Sequence, residues 1–141
     1  MMPELHRFTL PVAPAPLQTS GKRLVIVQGR PRFFKSAKAS AYQSAIALHS
    51  SRHLPKVPHS IPLALSLTFI LPRPQRIKAA GRVMAEKRPD LDNLVKGTQD
   101  ALSDFWVDDS QIVLLVARKF HAAPGESPCI EVTISDMSGE F

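Results

Sequence analysis

The sequence predicts a single α+β domain spanning residues 1–141, with a small mixed or antiparallel sheet and two principal helices. Three observations carry this. The segments read in the order β-β-α-β-α-β-β, which is neither the strict βαβ alternation of a parallel fold nor an all-β series. The length of 141 residues matches one compact domain, commonly about 100–150 residues. Two contrasting periodicities are present, an alternating run at residues 63–71 and a helical stripe after Pro89.

Each element has its own signal. In residues 7–12, Phe8, Leu10 and Val12 alternate with other residues, which predicts a first strand. Residues 13–21 are a Pro-rich loop, and 24–28 a short second strand. Gly29-Arg30-Pro31-Arg32 reads as a basic turn. Ser36 is a candidate cap for a helix to about Ser51, with Tyr42, Ala45, Ile46 and His49 at helical spacing. A Pro-bounded linker, 55–62, precedes the third strand, in which Leu63, Leu65, Leu67, Phe69 and Leu71 alternate with smaller residues. Residues 72–89 hold six cations and little apolar content, so they read as a mobile basic loop. Leu91, Leu94, Val95, Thr98 and Leu102 then form one apolar stripe of a second helix. Residues 112–120 are a strand, apolar on both parities up to Ala117, as in a strand covered on two faces. Ile130, Val132 and Ile134 mark a last strand, expected to pair with its predecessor through a Pro124-Gly125 turn.

Composition narrows the function classes. With 44% hydrophobic and 21% charged residues the chain has a core to bury, which argues against global disorder. The longest apolar run, residues 61–71, falls well short of the roughly 20 residues of a membrane span. The first residues lack the charged-then-apolar layout of a secretory signal. One cysteine, Cys129, excludes an internal disulfide and fits a reducing compartment. The expectation is a soluble, cytoplasmic protein without a membrane partner.

The net charge of +6 hides an asymmetry. Residues 1–85 carry thirteen Lys or Arg against one acid, Glu4, whereas residues 86–141 carry five against eleven. Six of those acids lie from Asp90 to Asp109. Spread cations suit a polyanion, because each neutralised phosphate releases counterions. Clustered carboxylates suit a hard divalent cation. This chain has both, in separate segments.

The chemistry concentrates in two runs, Asp90-Leu-Asp-Asn-Leu-Val-Lys96 and Trp106-Val-Asp-Asp109-Ser-Gln-Ile. Asp90 and Asp92 flank Leu91 at the helix start, so burial of the stripe turns both carboxylates off the core. Lys96 lies one turn beyond Asp92 on the same face. Asp108 and Asp109 directly precede an apolar strand, so a sheet edge can present them beside the helix start. Converging carboxylates repel unless a cation such as Mg²⁺ or Mn²⁺ takes their oxygens, and an adjacent amine suits charge building on a phosphate. Each residue alone has a plainer reading. Asp90 suits an N-cap, Asp92 complements the helix dipole, Lys96 and Asp100 form a weak i,i+4 pair, and Asp108-Asp109-Ser110 is ordinary turn composition. Their combination favours metal-assisted phosphodiester hydrolysis.

These runs, together with Gly29-Arg-Pro-Arg-Phe33 and the basic loop, resemble the RusA family of Holliday junction resolvases, often found in phages and prophages. The resemblance implies a homodimeric enzyme that nicks a four-way DNA junction with Mg²⁺ or Mn²⁺, in recombination and repair. It implies Asp90, Asp92 and Asp109 as metal-binding and catalytic carboxylates, Lys96 as the catalytic lysine, and Asp108 as their acidic neighbour. The connection 103–106 departs from the family pattern, lacking a Gly before the aromatic pair.

A C₂ dimer matches the approximate two-fold symmetry of a junction. Phosphate contacts are expected from Arg23, Arg30, Arg32, Lys35, Arg73, Arg76 and Lys78, acting as a patch. Phe33 and Phe34 read equally as base-stacking or core rings. Trp106 reads as a core residue, and His49 and His53 as ordinary histidines despite their i,i+4 spacing. The competing functions are a non-catalytic nucleic-acid-binding module and a branched-DNA nuclease preferring flaps or forks.

Overall fold

The computed structural model describes residues 2–16, 22–27, 29–35 and 37–141, with side chains described except those of 22–27, 30–35 and 37–40. Its elements are β1 (Glu4–Leu10), β2 (Lys22–Val27), β3 (Arg30–Lys35), α1 (Ala37–Ser50), β4 (Leu63–Leu71), β5 (Val83–Met84), α2 (Leu91–Ala101), β6 (Ile112–His121) and β7 (Cys129–Asp136). A mixed five-stranded sheet runs β1-β7-β4-β6-β5, and β2 and β3 form a separate two-stranded ribbon. The predicted α+β class is the observed one.

The most apolar strand takes the centre. In β4, Leu63, Leu65, Leu67 and Phe69 are fully buried and join the core with Phe8 and Leu10 of β1, Ile130, Val132 and Ile134 of β7, and Leu94, Val95 and Leu102 from α2 and its end. Each such large side chain contributes about 1.5–3 kcal/mol on burial. Both helices meet this side of the sheet, with Ile46 of α1 fully buried. The opposite face carries Ser66 and Thr68 of β4, Thr133 of β7, and Arg118 of β6 along a shallow polar groove.

Three expectations are corrected. The segment 29–32 is not merely a turn: Gly29, at φ 76°, makes the bend, and residues 30–35 continue as β3, antiparallel to β2 from Val27↔Arg30 to Lys22↔Lys35. A left-handed φ costs glycine little, and a Cβ there is disfavoured. The last strand does not pair with its predecessor. β7 lies between β1 and β4, antiparallel to both, while β6 runs parallel to β4. A parallel pair needs a long crossover, and the segment through α2 supplies it. Finally, β6 is not covered on two faces, since Val113, Leu115 and Val116 are 60%, 45% and 40% exposed. The predicted cap Ser36 lies outside the described residues, as do the side chains of Phe33 and Phe34.

Candidate active site

Helix α2 is the scaffold of the site. Its stripe is buried at Leu94, Val95 and Thr98, with Leu102 just beyond, which fixes the rotation of the helix on the sheet. Asp92 and Lys96 are consequently exposed, one turn apart. They line a cavity of about 530 Å³ together with Asp109, which arrives from the turn before β6. Leu91, Val95, Leu115 and Ala117 form its apolar side, and Gln99 and Asp100 extend its polar one. Lys96 makes no ion pair among the described residues, so the pairing with Asp100 suggested by their spacing is not formed.

The turn carrying Asp109 is held by Trp106, which the sequence marked only as a core residue, and by Gln111, which it left unassigned. Trp106 is 3% exposed, and its indole N–H donates to Asp109 Oδ1 at 2.8 Å. A buried indole needs an acceptor, and this one orients one carboxylate oxygen, the other having no partner among the described residues. Gln111 closes the turn from below. Its Nε2 donates to the carbonyls of His59 (2.7 Å) and Ile61 (3.0 Å), and its Oε1 accepts from the Asp108 N–H at 2.8 Å. The Asp108-x-x-Gln111 spacing of a capping box was the available signal. His59 is further tied by backbone bonds to Phe105 and Val107, so the 55–62 linker buttresses the Asp109 turn.

Of the carboxylates that the sequence reading sends toward one point, the fold brings two to a common cavity. Asp92 and Asp109 share a cavity, but Asp90 lines a different one, across the helix start, with Arg88 and Asn93. Asp90 holds the N-cap position in extended conformation (φ −67°, ψ 139°). Helical residues turn by about 100° each, so positions two apart face nearly opposite ways. Asp108 accepts the hydroxyl of Ser110 and caps its own turn, facing the 54–58 segment. Among the described residues no three His, Cys, Asp or Glu side chains stand close enough together to hold a metal ion. Apart from the Lys96 amine, the side-chain polar groups around the Asp92 cavity are carboxylates and an amide, without thiolate or imidazole, which suits a hard cation in kind.

Of the expected phosphate-binding cations, Arg76 and Lys78 are exposed on the loop after β4. Arg73 is otherwise engaged. Its guanidinium donates to the carbonyls of Gly81 (3.1 Å), Ala122 (3.0 Å), Ile77 (3.3 Å) and Ala79, organising the loop from within. Five donors in a rigid fork suit that task. In this structure Arg73 is thus a loop-organising residue. Arg23, Arg30, Arg32 and Lys35 fall on the β2–β3 ribbon, their side chains outside the described residues.

Two histidines lie behind the site. His6 Nε2 and His59 Nε2 are 2.8 Å apart, a hydrogen bond requiring at least one neutral ring. Burial, then the neighbouring His59 and His53, hold the His6 pKa below its usual 6.5. His53 stacks on Phe8, with ring centroids 4.5 Å apart, and no metal-binding triad forms. Cys129 is half-buried, its thiol pKa raised by burial, then by Glu131 and Glu126. No described helix is long and apolar enough to cross a membrane.

Comparison with known proteins places the chain in a family. The family model described as endodeoxyribonuclease RusA matches residues 11–135. A protein of Lactococcus phage r1t named crossover junction endodeoxyribonuclease rusA is 32% identical over 134 residues, covering 92% of this chain and 95% of its own length. The Escherichia coli (strain K12) protein named crossover junction endodeoxyribonuclease RusA is 32% identical over 113 residues, covering 79% and 82%. A Bacillus subtilis protein, YqaN, is 30% identical over 132 residues, covering 80% and 91%. With the family model spanning nearly the whole chain and these relatives matched over most of their length, this protein belongs to the RusA family of endodeoxyribonucleases.

Proposed function

We propose that the chain resolves four-way DNA junctions by paired, symmetric nicks in a Mg²⁺- or Mn²⁺-dependent reaction, acting as a homodimer in DNA recombination and repair. The observation that carries this reading is the meeting of Asp92, Lys96 and Asp109, from a helix and a pre-strand turn, at one exposed cavity. Asp92 and Asp109 would hold the metal, and Asp90, exposed at the N-cap of the same helix without a capping hydrogen bond, would turn its carboxylate from the neighbouring cleft to join them. When bound, the ion polarises a phosphate and lowers the pKa of a water. Lys96 lines the same space with its ammonium unpaired among the described residues, able to donate to a phosphate oxygen as negative charge grows there. Trp106 holds the Asp109 carboxylate in one orientation.

The open edge of β6 supports the dimer. β5 pairs only with Phe120 and His121, so residues 112–118 lack a described strand partner on that side. Val113, Leu115 and Val116 are exposed along this stretch. An unpaired edge with apolar side chains invites a second copy, and a two-fold axis there places equivalent sites on opposing strands.

A nicking assay on a mobile four-way junction, with and without Mg²⁺, tests the reading. Metal-dependent paired nicks are expected, abolished by Asp90→Asn, Asp92→Asn or Asp109→Asn while metal-free junction binding survives. Binding without cutting under any divalent metal would leave a nucleic-acid-binding module instead, and faster cutting of flaps or forks would reassign the substrate.

A further inference from the structure

Across the first turn of α2 from the Asp92 cavity lies a second cleft, of about 570 Å³, which Asp90 lines and the proposed hydrolysis leaves otherwise unused. Its walls are unusual. Pro14, Pro16, Pro72 and Pro89 line it, with Leu71 and Ala15 between them. Proline rings are rigid and carry no backbone N–H, so these four positions add apolar surface without donors. Besides Asp90, the hydrogen-bonding side chains lining the cleft are Arg88 and Asn93, and neither has a partner among the described residues.

The cleft is anchored to the sheet. Ala122 N–H donates to the Leu71 carbonyl at 2.9 Å, His121 Nδ1 lies 3.2 Å from the Pro72 carbonyl, and Lys119 Nζ donates to the Pro89 carbonyl at 2.7 Å. Apolar walls with a few convergent polar groups describe a binding pocket, and the volume falls within the roughly 300–1,000 Å³ of small-ligand sites. A nucleobase has the matching chemistry: two flat faces for apolar walls, and an edge of donors and acceptors for an amide and a guanidinium.

We propose that this proline-walled cleft takes one unstacked nucleobase of the cleaved strand, and that Asn93 and Arg88 read its edge and set where the strand is cut. The inference rests on the nuclease reading, because the two clefts lie on either side of the first turn of α2, within reach of one bound strand. A helix is about 10 Å across, so at ~3.4 Å per stacked nucleotide the base lies within about three nucleotides of the cut.

Two experiments test it. Cut sites are mapped on junctions in which each base within about three nucleotides of the cut is permuted. The wild-type chain is expected to prefer one base at one position by about 5- to 100-fold, the range for one good side-chain–base pair. Asn93→Ala and Arg88→Ala flatten that preference, and Asn93→Asp, which replaces amide donors by acceptors, changes the preferred base. Separately, junctions carrying 2-aminopurine at each position are bound in EDTA. Fluorescence rises at one position with the wild-type chain and less with Asn93→Ala. No base preference in the wild-type chain, an unchanged ranking in the variants, or equal fluorescence in both proteins overturns the proposal. Absence of cutting by the wild-type chain under any metal, with the one-position fluorescence rise intact, instead overturns the nuclease reading and leaves the base pocket standing.

Discussion

The two ends of β6 are finished differently. At its C-terminal end Phe120 and His121 pair with β5, Arg73 gathers the carbonyls of the adjoining loop, and Arg82 clasps Glu126 (2.6 Å) and Glu131 (3.2 Å) of the β6–β7 connection and β7. Glu126 has its pKa lowered chiefly by the Arg82 hydrogen bond. At its N-terminal end the same strand presents an edge unpaired among the described residues, exposed Val113 and Leu115, and the Asp109 turn. Backbone polar groups and apolar side chains are satisfied within the chain at one end and left open at the other. The open end is the one beside the candidate site.

The largest effect is expected at the open end. Asp92→Asn or Asp109→Asn should lower the cutting rate by more than the ~10–100-fold typical of losing an outer-shell partner, read as single-turnover nicking. Next, Val113→Lys with Leu115→Lys should convert a dimer to monomer in sedimentation velocity. Met84→Lys, which alters an exposed side chain at the finished end, should change nothing. Dimers from both proteins would break the comparison. Trp106→Phe keeps an aromatic ring in the core but removes the donor to Asp109. It should slow cutting by about 10-fold and raise the Mn²⁺ concentration needed for half-maximal binding in calorimetry.

Effects at the finished end should fall on stability. Arg73→Ala strips donors from the loop carbonyls and should cost about 1–3 kcal/mol in denaturant unfolding, without changing the salt dependence of junction binding. The smallest effect concerns His6. A histidine whose folded pKa is lowered binds fewer protons when folded than when unfolded. Its contribution to stability is therefore whole above about pH 6.5 and shrinks as pH falls through that value. The melting temperature should drop below this pH, and His6→Asn should lessen the drop.

The legible parts of this fold were those with local causes. The alternation of residues 63–71 defined β4 to the residue, and the stripe from Leu91 to Leu102 defined α2 and which side of it meets the core. The pairing of β7 was not legible. A Pro-Gly pair looks like a hairpin, yet β4, buried along most of both faces, outcompetes β6 for β7. At the site, Lys96 and Asp92 followed from helix spacing alone. The grouping of Asp109 with them depended on Trp106 and Gln111, whose partners lie partly in the distant 55–62 linker.

The order of residues by itself determined the fold class, the basic and acidic segments, and the identity of the chemical groups, because periodicity and charge are local properties. Tertiary structure alone decided that Asp92 and Asp109 share a cavity while Asp90 turns into a proline-walled one, that Arg73 serves a loop, and that β6 keeps an open edge. Those outcomes depend on which strand wins the centre of the sheet and how α2 is rotated upon it, a competition settled by burial summed over the whole core.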